Sequence, residues 1–493
     1  MDQEYWFTKK SKQFLKNIDT LYYSVYFEQD MTSTSTDHSV FKLRCFLDEL
    51  RNRHEEVEMT FGDHKCLYVP GRFSVYNYRF SIPDFFDFFV APVVNTQETP
   101  GAILQLRSRT LWEDRVYNSV DVSLEFVKAF CAKFGLRIKE VTENRCDFAC
   151  HTNYLTDPEK FFDRDNFVKM WVGRVGRTSE HTKVYMNHIT VYDDDSTETD
   201  YVAIGKRGGN CFIRIYLKSK EVVQEGYKGF FLKIWHESGL INRYDLFCLE
   251  EAYKVKSWAY VDIARLRWAY ENDDTLTDEV KTYIKSLIDD EKADINQIHL
   301  AAKTYTQPVT KIFNIEFQVM RSMSKTFQLI PRNNEGVTKR LFDYLDNYSL
   351  IYDYLTRESF RLCRTDQNDT NKSRLEDNEF WKRLRSAKAM EFRKKHKQLE
   401  LIRKYSSNIN LEIRKKRAIN ALSCFGFAMN NDPENTIMDD AATLLSILND
   451  NDLDYIDRRK KKLAASNREV IPDEQKRFRS VMFLYDPDNN RFY

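Results

Sequence analysis

Hydrophobic and polar positions follow two patterns along the chain. As far as about Glu250, apolar residues fall mostly in short alternating runs, the period of a strand with one buried face. Asn17 to Phe27 (N-I-D-T-L-Y-Y-S-V-Y-F) predicts a first strand with Asp19 near its start. Phe41 to Glu56 has helical spacing and turns charged toward its end, which predicts an amphipathic helix. Lys65 to Val69, Ser74 to Ser81 and Ala102 to Arg107 are β-prone runs set apart by prolines and glycines. A helix is predicted over Ser123 to Phe134, closed by Gly135. The strand that follows, Arg137 to His151, puts Arg145, Asp147, Ala149 and His151 on one face. Tyr201 to Gly205 and Cys211 to Lys218 flank a Gly-rich turn and predict a hairpin. In its second strand Cys211, Ile213 and Ile215 face the core, and Phe212, Arg214, Tyr216 and Lys218 line the other side. Arg243 to Leu249 reads as a further strand with Arg243, Asp245 and Phe247 on one side.

Beyond Glu250 the pattern becomes long, charged and helical, in Ala252 to Tyr270, Asp278 to Glu291, Gly336 to Thr356, Asp377 to Lys404 and the short apolar Met438 to Leu448. No strand is expected there. At 493 residues the chain exceeds what one core usually serves. The expected division is 1–255 for a strand-bearing domain and 256–493 for a helical, locally basic region.

Composition changes this picture little. Aromatic content of 14%, with few Gly and Pro, indicates a folded protein, and the net charge of +1 hides local asymmetry. Between Lys372 and Arg417, sixteen Lys and Arg stand against six Asp and Glu, so that stretch would attract a polyanion or form a solvated helical surface. Arg393, Lys394 and Lys395 within it, and Lys206 and Arg207 in the hairpin turn, are the candidate DNA contacts. Nine cysteines form no Cys-x-x-Cys pair, no apolar run is long enough to span a membrane, and the first residues do not resemble a secretion signal. A cytoplasmic location with free thiols is the expectation.

Several chemistries have no motif here. No phosphate-binding loop of the Gly-x-x-x-x-Gly-Lys-Ser/Thr kind, no His-x-His, no His-Glu-x-x-His and no Gly-x-Ser-x-Gly occurs. A tyrosine between two cations remains, with sheet-borne acids Asp147 and Asp245 and the nearby His151. Arg214 and Lys218 could hold a phosphodiester and stabilise charge as the Tyr216 phenolate attacks it, although the same alternation also suits an ordinary strand face. Hard oxygen ligands imply Mg2+ or Mn2+. Asp147 and His151 lie roughly 13 Å apart along one strand, at about 3.3 Å per residue, too far to share an ion without a bulge.

Asn144 to His151 (N-R-C-D-F-A-C-H) resembles the T-R-x-D-x-A-x-D strand of the plasmid replication initiation factor family, the rolling-circle initiators and related conjugative relaxases. Tyr201 to Glu221 is similar to that family's Y-x-G-x-R and R-I-Y-x-K-x-x-E block, and Arg243-Tyr244-Asp245 to its R-x-E strand. His151 stands where the family has a second acid, Asp245 is shorter than the usual glutamate, and Leu217 replaces a polar residue. The resemblance spans roughly residues 15 to 255. It implies an α+β fold whose antiparallel sheet carries the site, and the largely helical region after Glu250 departs from it, being much longer than in small plasmid initiators. It also implies a DNA nicking and joining enzyme. Tyr216 would be the nucleophile that becomes linked to a 5′ phosphate and frees a 3′ hydroxyl. Arg214 and Lys218 would orient the phosphate, and Asp147 and Asp245, with His151 beside them, would hold the divalent ion. Implied partners are single-stranded or hairpin origin DNA, a helicase and a polymerase, with a homodimer as a further expectation. A transfer-origin relaxase and a non-catalytic DNA-binding protein stay open as alternatives.

Overall fold

The computed structural model describes residues 6–7, 13–51, 53, 55–70, 75–94, 99–155, 167, 169–173, 184–186, 189–191, 197–199, 201–205, 208–290, 293–325, 327–331, 336–364, 374–390, 411–430, 436–468, 485–486 and 491–492. In chain order the first elements are β1 Phe14–Phe27, α1 His38–Arg51, β2 Val57–Phe61, β3 His64–Val69, β4 Tyr78–Ile82 and β5 Phe86–Val90. Then come β6 Ala102–Leu106, α2 Ser108–Glu113, α3 Val116–Phe134 and β7 Ile138–Thr152. Short strands follow at β8 Trp171–Gly173, β9 Val184–Met186, β10 Ile189–Val191 and β11 Thr197–Thr199, and then the hairpin β12 Tyr201–Ile204 and β13 Cys211–Leu217. Helices α4 Lys218–Glu225, α5 Phe230–Glu237, α6 Arg243–Val255, α7 Tyr260–Asn272, α8 Asp278–Asp289 and α9 Ile295–Tyr305 lead to β14 Phe313–Met320. The remaining elements used below are α10 Lys339–Asp346, α11 Tyr348–Tyr354, β15 Phe360–Leu362, α12 Glu379–Ser386, α13 Leu411–Asn430, α14 Ile437–Ile447 and α15 Asp450–Arg468.

An eleven-stranded antiparallel sheet in the order β2-β3-β4-β5-β6-β1-β7-β14-β13-β12-β9 forms the frame. The fold is α+β, as expected. One face of the sheet is apolar and covered by helices. Phe86 and Phe88 pack on Phe126 and Phe130 of α3, and the Tyr23 hydroxyl meets Ser123 at 2.9 Å. Farther along the same face, Phe148 packs on Tyr344 and Tyr348. α3 ends where Gly135 takes a left-handed conformation at φ 78° and its N–H returns to the last turn, a stop that glycine adopts without strain.

Two departures from the sequence reading matter for the site. Arg243 to Val255 is a helix, α6, and not a strand. Its buried residues Tyr244, Asp245, Cys248, Leu249 and Ala252 recur at helical spacing, and Asn242 and Asp245 close a reciprocal capping box at its start. Conversely, β14 lies in the region expected to be helical throughout, and it is inserted between β7 and β13 at the middle of the sheet. The first compact unit therefore runs from Met1 to Arg403, with the expected boundary at 255 inside it. The second unit, Lys404 to Tyr493, contains α13, α14 and α15, with Thr436 and Asp439 forming a capping box on α14.

Candidate active site

Strand register decides which side chains meet. In an antiparallel ladder, residues directly opposite each other point to the same face. Tyr216 lies opposite Asn314 and Arg214 opposite Glu316 on one side of β14. On its other side Asn314 lies opposite His151, Glu316 opposite Ala149, and Gln318 opposite Asp147. Tyr216, Arg214, Asn314, Glu316, Asp147 and His151 consequently share one face, while Ile213, Ile215, Ile315 and Phe317 point into the core.

The Tyr216 hydroxyl is held from three directions. It donates to Glu316 Oε2 at 3.2 Å and accepts from Asn314 Nδ2 at 3.1 Å and from Lys218 Nζ at 3.3 Å. Asn314 is aimed by the Cys150 N–H, which donates to its Oδ1 at 3.2 Å. Glu316 is also ion-paired to Arg214. Lys218, the first residue of α4, is fully buried and pairs with Glu221 at 2.6 Å. Burial alone would lower the Lys218 ammonium, but Tyr216, Asp19 and Glu221 outweigh it and hold it well above the ordinary lysine value. Burial pushes the Tyr216 phenol well above its ordinary value, and Lys218 opposes that shift. Tyr216 itself is only 7% exposed, while the Arg214 side chain beside it is 27% exposed.

Asp147 lies on the same face, one strand beyond Glu316. Arg145 grips it with two N–H groups, at 2.8 and 2.5 Å. Burial raises its carboxyl to about 7 against the opposing pull of Arg145, and the charge of Glu316 adds to the rise. A carboxyl whose folded pKa lies above its unfolded value stabilises the fold fully below the unfolded pKa, and that contribution is lost as pH rises through the folded one. Stability is therefore expected to fall between about pH 4 and 7 from this group, and Asp147→Asn should flatten that part of a plot of melting temperature against pH. An unchanged slope in the variant would sink the assignment.

The expected ligand set is not assembled. Asp245 is corrected from a strand residue and metal ligand to a helix cap. Its Oδ2 accepts from the Asn242 N–H at 3.0 Å and its Oδ1 from the Thr310 N–H at 2.9 Å. We expect Asp245→Ala, which removes one half of the capping box, to cost about 0.5–2 kcal/mol of stability and to leave any metal dependence of activity unchanged, as read by denaturant melts and activity titrations.

His151 is buried against Trp112, stacked at 4.5 Å, and its Nδ1 accepts from the Trp235 indole at 3.1 Å. Burial and then Lys218 hold the imidazole down at about 3, so it is neutral. Asp19, near the expected strand start, accepts from Ser108 at 2.6 Å and from Trp112 at 2.9 Å. Lys206, Arg207, Arg393, Lys394 and Lys395 lie outside the described residues.

The acid the sequence reading missed is Glu316. Its signal is present in F-N-I-E-F-Q-V-M, where Phe313, Ile315, Phe317 and Val319 alternate with Asn314, Glu316 and Gln318. Among the described residues no group of three or more His, Cys, Asp or Glu side chains is placed to hold a metal ion. Asp147 and Glu316 are a carboxylate pair on one face, and the mutual charge that raises Asp147 is one a cation would relieve. Each of the two is already ion-paired to an arginine, Arg145 and Arg214, while Mg2+ commonly takes one or two carboxylates and completes its shell with water and phosphate oxygens.

Fold and site together define an α+β protein with a tyrosine, carboxylate and cation cluster on the polar face of an antiparallel sheet. No protein-family model matches the chain, and no curated protein matches it. Among solved structures it is similar to a rolling circle replication initiator protein from Geobacillus stearothermophilus, at 11% identity and a TM-score of 0.32, covering 75% of this chain and 94% of that one. Among the described residues, no helix is long and apolar enough to cross a membrane.

Proposed function

We propose that the protein is a DNA nicking and joining enzyme of the replication-initiator type, with Tyr216 as nucleophile. The observation that carries this reading is the surrounding of one phenol by a proton acceptor, Glu316, two donors, Asn314 and Lys218, and an adjacent guanidinium, Arg214. Glu316 takes the phenol proton as Oη attacks phosphorus, and Lys218 and Asn314 stabilise the negative charge on that oxygen. Arg214, ion-paired yet partly exposed, meets the phosphate. The new bond joins Tyr216 Oη to phosphorus, and the bond from phosphorus to the 3′ oxygen breaks. That oxygen leaves as a 3′ hydroxyl after taking a proton from water. Asp147 and Glu316 would hold a divalent ion, Mg2+ or Mn2+, which when bound polarises the phosphate.

Incubating the protein with a single-stranded oligonucleotide library and Mg2+ or Mn2+, and sequencing the tryptic peptide that carries nucleotide, tests the reading. Adduct on the Tyr216 peptide supports it, and adduct elsewhere or none rejects it. A second reading, a DNA-binding protein without catalysis, is favoured by the 7% exposure of Tyr216. It requires oligonucleotide binding with no covalent product. A replication origin as substrate, with helicase and polymerase partners or a second copy of the chain, belongs to the first reading, and a transfer origin fits the same chemistry.

A further inference from the structure

The polar face does not stop at Asp147. Register carries it across β1, β6 and β5, because Arg145 lies opposite Tyr22, Tyr22 opposite Gln105, and Gln105 opposite Asp87. Asp87 is buried and holds two guanidiniums, Arg79 at 2.9 Å and Arg107 at 2.6 Å. The Arg79 and Arg107 side chains are 23% and 38% exposed, and Arg145, whose guanidinium lies over the Tyr22 ring at 5.4 Å, is 24% exposed. The Nε–H of Arg107 and that of Arg214 are buried and make no hydrogen bond. A strand reaches the exposed parts of these side chains, and a phosphate oxygen is the partner that guanidinium geometry suits best. Arg107 and Arg214 lie toward opposite ends of the face, separated by four strand spacings of about 4.8 Å, roughly 19 Å. Between them are a tyrosine ring, Tyr22, and a third arginine, a mixture of stacking surface and cations that suits a single strand.

We infer that this face is a track for single-stranded DNA, running from Tyr216 across β14, β7, β1 and β6 to a phosphate seat formed by Arg79 and Arg107 on Asp87. The inference rests on the nicking reading for its identification of the bound strand as DNA. Its physical content is separate: the face engages phosphates far from Tyr216. The buried carboxylate holds the two guanidiniums side by side with part of each side chain exposed, so the seat is preformed.

Fluorescence anisotropy with fluorescein-labelled oligo(dT) of twenty nucleotides tests it in the full chain. The triple variant Arg79→Gln, Asp87→Asn, Arg107→Gln removes the seat without leaving Asp87 charged and alone. It is expected to weaken binding about tenfold and to lower the slope of log K against log salt by about 1.4, the value for two phosphate contacts on a single strand. Should the triple variant melt early, Gln105→Glu and Gln105→Lys probe the same path with the seat intact, the first weakening and the second strengthening binding. Wild-type affinity and slope in the triple variant, or no response to either change at Gln105, overturns the track. Weakened binding by a protein that forms no Tyr216 adduct keeps the track and removes the nicking reading. No binding of oligo(dT) by the wild type overturns the track outright.

Discussion

Tyr216→Phe is expected to abolish covalent adduct formation and to lower cleavage by more than about 10³-fold, the scale seen when a covalent enzyme loses its nucleophile. The substitution deletes one oxygen and keeps the ring, so the strand should stay in place. Glu316, Asn314 and Lys218 each lose one hydrogen bond, a stability cost on the order of 1 kcal/mol per bond. Loss of activity with a melting temperature lowered by several degrees, the protein still folded, is therefore the expected combination. The neighbouring Tyr201, opposite Tyr216 on β12 and more exposed, is the natural comparator, with ring centroids 6.2 Å apart. Tyr201→Phe should retain the adduct. If Tyr216→Phe still forms it and Tyr201→Phe does not, the nucleophile is the wrong tyrosine.

Glu316→Gln should have the second large effect, because one carboxylate serves two purposes. As acceptor of the Tyr216 proton its loss is expected to slow cleavage by about 10²–10⁴-fold. As the buried partner of Arg214, its loss leaves a guanidinium without a counter-charge, and breaking one side of such a pair commonly costs about 3–5 kcal/mol. A double variant separates the two roles. Arg214→Gln with Glu316→Gln removes both charges, so most of the stability should return, whereas cleavage should stay low. Recovery of both in the double variant would show that Glu316 only neutralises Arg214.

Much of the N-terminal half was legible from local pattern. The strand bearing Asp147, the helix closed by Gly135 and the hairpin with Tyr216 on its polar side all follow from alternation, turn chemistry and caps. A short motif misleads where its surroundings carry the stronger signal. R-Y-D resembles a strand motif, although Asn242 three residues before Asp245 is a helix-start signal and the apolar spacing after it is helical. The third strand of the site, β14, is hidden from local pattern because it follows six helices, where the texture of the flanking chain argues against a sheet.

By itself, the sequence determined the face on which each strand residue lies, since the period of two is built into the backbone, and so it placed Arg214 and Tyr216 on one side and the isoleucines on the other. Only the tertiary structure decided which acid meets the phenol. Strand pairing is a contact between segments about a hundred residues apart. Nothing local in F-N-I-E-F distinguishes a strand at the edge from one inserted between β7 and β13. That insertion replaced Asp245 with Glu316 as the acid beside the tyrosine.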